Sequence, residues 1–185
     1  MLPKRIPNVT FHTRIHDTTL RGANPYRWQD VTTQDLFANK KVVLFSLPGA
    51  FTPTCSTFQL PDFERLAPAF KEKGIDEIYC MSVNDSFVMN KWATYQMLKH
   101  IKVIPDGSGA FTYGMNMLVQ KDNLGFGARS WRYAAVINNC EVMMEFIEAG
   151  QMDNCPDDPY EVTTPHNILA QLGTPAAQQM LFAEA

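Results

Sequence analysis

The chain has 185 residues, a formal net charge of −3 and a pI of about 5.8. That length suits one domain with a sizeable core, expected over residues 1–185 with its folded part at about 7–172. The mild acidity speaks against a nucleic-acid or anionic-membrane surface, and no apolar run is long enough to span a bilayer.

In chain order, Val9 to His16 alternates apolar and polar residues, as an edge hairpin strand does. Thr33 to Ala38 reads as a short helix capped by a hydroxyl residue, leading into an apolar strand at Val42 to Leu47. Phe58, Phe63, Leu66 and Phe70 recur at near-helical spacing, so a helix beginning near Thr54 is expected to bury that face and to stop at Gly74. Ile75 to Val83 is the next strand, Ser86 to His100 the next helix, and Ile101 to Ile104 a short strand before the turn Pro105-Asp106-Gly107. Tyr133 to Asn138 and Val142 to Ile147 read as paired strands around an Asn138-Asn139 turn. Thr164-Pro165 is an N-cap followed by Pro at N1, opening a last helix through Leu172. Helices interleaved with strands predict a layered α/β fold. Asp153 to Pro159 reads as a polar loop, and the Ala- and Gln-rich tail after Gly173 as a helix end or a frayed terminus.

The segment with the most chemistry is Pro48-Gly49-Ala50-Phe51-Thr52-Pro53-Thr54-Cys55, placed between that apolar strand and the helix after it. A cysteine in the first turn of a helix faces unpaired backbone N–H groups and the positive end of the dipole, which favour thiolate over thiol. Pro48 and Pro53 stiffen the turn and Gly49 permits it. Thr52 can bring a hydroxyl beside the sulfur once the segment coils. Cys55 is therefore a candidate nucleophile, weighed against the ordinary fate of a free cysteine as a small buried hydrophobe.

Pro48, Thr52 and Cys55 match the pattern Pro, three residues, Thr or Ser, two residues, Cys, and with the string PGAFTPTC the chain resembles the peroxiredoxins of type II, the peroxiredoxin 5 subfamily. The resemblance continues through SVNDSFVMNKW (Ser82 to Trp92), IPDGSGAFTYGM (Ile104 to Met115) and GARSWRYAAVI (Gly127 to Ile137), and is poorest after Val142. It implies a thioredoxin-like fold: a central mixed β-sheet flanked by helices, with N-terminal β additions. It implies reduction of hydrogen peroxide and alkyl hydroperoxides, with Cys55 becoming a sulfenic acid and no metal or organic cofactor required.

The resemblance also matches Arg129 to the family's active-site arginine, which would stabilise the thiolate and hold a peroxide oxygen in line with the sulfur. Gly49, Thr52 and Arg129 are the expected substrate contacts, Pro48 a shield over the sulfenic acid, and Arg132 a structural or interface charge. Cys80 lies in a string resembling the segment of the resolving cysteine in plant members, and resolving and packing roles both stay open for it. If Cys80 is inert, the expected reductant is glutathione or a glutaredoxin; if it resolves, thioredoxin is expected. Cys140, after the expected hairpin turn, is read as packed or exposed without function, and Cys155, in its polar loop, as accessible to thiol exchange. A homodimer is implied, with Phe51, Phe87, Trp92 and Tyr113 as candidate interface residues.

Four cysteines without a close C-x-x-C pair make neither a secreted disulfide scaffold nor a zinc site. The chain's start lacks a signal-peptide pattern, so a cytoplasmic location is expected. Two other classes compete with the peroxidase: a Cys-His hydrolase drawing on His12, His16, His100 or His166, and a peroxide sensor or redox-binding protein with slow turnover.

Overall fold

A computed structural model describes residues 1–173. The expectation for the tail after Gly173 lies outside the described residues. The centre is a five-stranded mixed sheet of β3 (Lys41–Ser46), β4 (Glu77–Ser82), β5 (Lys102–Pro105), β8 (Tyr133–Asn138) and β9 (Glu141–Ile147). Their order is β5-β4-β3-β8-β9: β3, β4 and β5 run parallel, and β8 pairs antiparallel with both β3 and β9. Two smaller antiparallel pairs flank it, β1 (Thr10–His16) with β2 (Tyr26–Thr32), and β6 (Leu118–Gln120) with β7 (Ala128–Ser130).

Period-two alternation divides the core. Val43, Phe45, Ile78, Cys80, Ala134 and Val136 point to one face of the sheet. That face is covered by the long helix α2 (a π-helical turn at Cys55–Gln59 continued by Leu60–Glu72), α3 (Ser86–Tyr95) and α5 (Pro165–Leu172). Val42, Leu44, Tyr79, Met81, Ala135 and Ile137 point the other way, against α1 (Thr33–Phe37), α4 (Ala110–Gly114) and Phe11 of β1. Strands buried on both faces explain why β3 and β4 are near-continuous apolar runs.

The strands and caps foreseen near residues 10, 33, 41, 77, 133, 141 and 165 are present within a residue or two. The hydroxyl residue that caps α1 is Thr32, through a capping box with Asp35. The β8–β9 turn sits at Asn139-Cys140, both with positive φ (47° and 69°), one residue beyond the expected pair. α3 ends at Tyr95 rather than His100, and Met97 beyond it adopts φ 53°. Phe58 does not join the buried face of α2 and is 57% exposed. The π-helical turn inserts extra backbone before Leu60, which rotates Phe58 outward while Phe63 and Phe70 remain buried. Periodicity missed β2, α4, β6 and β7, which are short or polar.

Candidate active site

β3 carries the chain to Ser46, and the turn 47–52 brings it back as α2. Ser56 N–H donates to the Thr52 carbonyl at 3.0 Å, so Thr52 caps the helix and Cys55 lies in its first turn. The Thr52 hydroxyl donates to the Gly49 carbonyl at 2.7 Å, closing the turn on itself. A Cβ on Gly49 would lie 2.8 Å from Arg129 Nη1 and 3.2 Å from the Thr52 methyl, so a side chain here would displace the Arg129 guanidinium from the turn. Asn84, in the connection after β4, accepts at Oδ1 from Ala50 N–H at 3.0 Å and from the Ser82 hydroxyl at 2.6 Å.

Cys55 is fully buried. The guanidinium on its sulfur belongs to Arg132, not Arg129: Arg132 Nη1 lies 3.5 Å from Cys55 Sγ and also donates to Gln59 Oε1, while Nη2 donates to Asp158 Oδ1 at 2.5 Å. Arg132 is 1% exposed and stacks 5.6 Å from the Tyr160 ring. Burial works against its charge, but Cys55 and Asp158 together outweigh burial and push its pKa up. Arg129 sits at the rim, half-buried on β7, donating through Nε to the Phe126 carbonyl at 3.2 Å and through Nη1 to the Pro48 carbonyl at 3.4 Å. The Arg132 reading as a mere structural charge thus gives way. The two arginines stand three apart in one string, and strand geometry decides which turns inward. Ser130 and Arg132 flank buried Trp131, whose indole donates to the Glu148 carbonyl at 2.8 Å.

The structure brings Pro48, Gly49, Thr52 and Arg129 together around the turn, and Arg132 onto the sulfur. Gln59 was missed although it lies four residues after Cys55 on the same helix, a spacing that puts side chains on one face. Asp158 and Tyr160 had no signal, since a polar loop carries no periodicity. Two α3 side chains reach the residue after the nucleophile: Trp92 Nε1 donates to Ser56 Oγ and Gln96 Nε2 to the Ser56 carbonyl, each at 3.0 Å. Trp92 is fully buried, which removes it from the expected dimer surface, whereas Phe51, Phe87 and Tyr113 are exposed.

All four cysteines are free and buried. Cys80 shares the apolar cluster of Cys55, and burial, reinforced by Cys55, pushes its thiol well above the ordinary range. Cys155 is 5% exposed, contrary to the accessible loop thiol expected from composition, because it joins the second core cluster and its loop is tied down by Asp153 and Asn154 to Gln120 and Asn123. His12 pairs with Asp30 on the exposed hairpin, and the side chain on the Cys55 sulfur is Arg132 rather than a histidine. No helix among the described residues is long and apolar enough to cross a membrane.

A buried cysteine in the first turn of a helix, backed by a guanidinium within a thioredoxin-like fold, defines a thiol oxidoreductase. A family model described as Redoxin matches residues 5–159. A peroxiredoxin of Rhizobium etli is 63% identical over 175 residues, covering 95% of this chain and 98% of that protein. The hybrid peroxiredoxin hyPrx5 of Haemophilus influenzae is 49% identical, covering 91% of this chain and 65% of that protein. The solved structure of a Plasmodium falciparum antioxidant protein, a 1-Cys peroxiredoxin, is 39% identical with a TM-score of 0.84, covering 91% of this chain and 97% of that one. The chain belongs to the Redoxin family as a type II peroxiredoxin, a thiol-dependent peroxidase with an antioxidant function.

Proposed function

We propose that Cys55 is the peroxidatic residue, and the observation that carries this reading is the buried Arg132 guanidinium at 3.5 Å from its sulfur. The thiolate of Cys55 attacks one oxygen of a hydroperoxide. An S–O bond forms, the O–O bond breaks, and the departing oxygen takes the bonding pair and then a proton, leaving as water or an alcohol. The sulfur, oxidised by two electrons, becomes a sulfenic acid. Arg132 stabilises the thiolate and the negative charge that grows on oxygen, a contribution that a preorganised, water-excluded donor makes without reorganisation. With its proton engaged by Gly49, the Thr52 hydroxyl has lone pairs free to accept the peroxide O–H. Pro48 and Gly49 wall the approach, and Arg129 holds that wall by the Pro48 carbonyl.

Recycling is assigned to an external thiol, glutathione or a glutaredoxin ahead of thioredoxin. Cys80 is paired in mid-sheet with Phe45 on one side and Val103 on the other, and its thiol is held protonated, which disfavours it as an attacking group. One thiol condenses with the sulfenic acid, releasing water and leaving a mixed disulfide. A second thiol displaces Cys55 as the thiolate. A homodimer through the face carrying Phe51, and a cytoplasmic location, complete the reading.

The test is the intact mass of reduced protein after one equivalent of hydrogen peroxide, alone and with glutathione. A Cys55-dependent gain of one oxygen, about 16 Da, converted by glutathione to the mixed disulfide, supports the one-cysteine cycle. A loss of two hydrogens mapped to Cys55 and Cys80 makes Cys80 the resolving residue. No Cys55-dependent change refutes the assignment of the nucleophile.

A further inference from the structure

Arg132 is a cation sealed from solvent, and its surroundings supply charge unequally over a reaction cycle. Cys55 carries a charge only as the attacking thiolate, because the sulfenic acid that follows is neutral. Gln59 is neutral throughout. Among the described residues, Asp158 is the carboxylate within ion-pair distance of Arg132, at 2.5 Å. A buried guanidinium stays protonated at any ordinary pH and is costly to leave unpaired. We propose that Asp158 is the permanent counter-ion of Arg132, a positioning residue that aims the guanidinium at Cys55 and sets how much of its charge the sulfur receives. This rests on the reading of Cys55 as nucleophile and Arg132 as its partner.

The geometry divides the guanidinium between two jobs. Nη1 faces Cys55 and Gln59, Nη2 faces Asp158, and Nε is buried without a partner, so the aim of the group depends on its two Nη contacts. Asp158 stands on the connection from β9 to α5, where the resemblance to the family is poorest, and its side chain is 44% exposed. The other titratable groups nearby are accounted for. Tyr160 covers Arg132, and its hydroxyl faces Asp62 of α2 and Glu148 as well as Arg132 and Cys55, while burial raises its pKa. Cys80 faces Cys55 from β4 and stays protonated. Glu148 is occupied by Thr163 and Glu161. Asp158 is thus the carboxylate that competes with the sulfur for Arg132.

The sign follows. With a neutral side chain at 158, Arg132 keeps one possible anionic partner, the Cys55 thiolate, so the thiolate gains. The experiment is the second-order rate constant for hydrogen peroxide against pH by rapid mixing. In Asp158→Asn the acid limb should move down by about half a pH unit, making the reaction roughly threefold faster on that limb; the shift is kept modest because the carboxylate is partly solvated. Asp158→Ser should shift it the same way, and Asp158→Glu should restore the wild-type limb. A structural role alone would lower the plateau without moving the limb. A limb at or above the wild-type position in folded Asp158→Asn and Asp158→Ser overturns the proposal. Arg132→Ala separates the two layers: if it slows the reaction while the Asp158 variants leave the limb in place, the counter-ion assignment alone fails. If Arg132→Ala itself reacts at the wild-type rate, the reading of Arg132 fails with it.

Discussion

The turn that opens α2 and the connection from β9 to α5 meet at the same sulfur, and they are held by different means. The turn is closed by short-range bonds, Thr52 onto Gly49 and Ser56 onto Thr52, with Asn84 and Arg129 steadying it from outside. The connection, from 149 to 164, is anchored by the buried carboxylate of Glu148, which accepts from Glu161 N–H at 2.8 Å, Thr163 N–H at 2.9 Å and the Thr163 hydroxyl at 2.7 Å. It is tied further along by Asp153 and Asn154 to Gln120 and Asn123, and over the sulfur by the ion pair of Asp158 with Arg132. Local geometry therefore places the nucleophile, and long-range charge pairing sets the field around it.

The largest effect that tests this division falls on the turn. Cys55→Ser should abolish peroxide reduction while thermal unfolding stays cooperative; residual turnover in a stopped-flow assay would mean the turn does not carry the chemistry. Next comes the field. Arg132→Ala should lower the peroxide rate constant by about a hundredfold or more, the usual scale for removing a preorganised donor. Arg129→Ala should lower it less than about tenfold, because Arg129 acts on the sulfur only through the Pro48 carbonyl. Equal losses in the two would erase the distinction between direct and indirect contact.

A third perturbation breaks the anchor of the connection. Glu148→Ala removes an acceptor that satisfies three donors, two of them on the buried Thr163. The expected cost is about 3 kcal/mol, read as a lower urea midpoint, together with a slower peroxide reaction as Asp158 drifts from Arg132. A full-rate Glu148→Ala enzyme would show that the connection holds its shape without the carboxylate.

How much of this was legible follows the same division. The turn could be read because its residues are adjacent and each has a local job, as with a proline at a turn or a cysteine in a first helical turn. The inward arginine could not be read that way. Arg129 and Arg132 share one string, and which of them turns inward depends on the pairing of β7 with β6 and β8 with β3. Asp158 and Tyr160 were invisible because their contacts span the chain from 132 to 160, and a stretch such as DNCPDDP looks the same whether solvated or folded over a site. Phe58 was misread for a different reason, since one π-helical turn shifts the phase of a pattern that assumes 3.6 residues throughout.

The smallest expected effect concerns a buried sulfur with no guanidinium beside it. Cys80 is as fully buried as Cys55, but burial, with the neighbouring Cys55 adding to it, holds its thiol well above the ordinary value of 9.0. Cys80→Ser should therefore leave the peroxide rate constant within about twofold at neutral pH, since a protonated thiol in mid-strand contributes packing and little else. The distinguishing signal lies at alkaline pH. In the unfolded chain the thiol ionises near 9, whereas in the folded chain it remains protonated, so the folded state binds the extra proton. The stability this represents is fully present below about pH 9 and is lost as pH rises beyond it, with a slope of about 1.4 kcal/mol per pH unit while only the unfolded thiol ionises. A serine there does not ionise in that range, so urea midpoints measured from pH 8 to 10 should fall less steeply in Cys80→Ser than in the wild type. Identical slopes would mean that Cys80 is open to solvent for part of the time, and with it the strand that is meant to keep it out of the reaction.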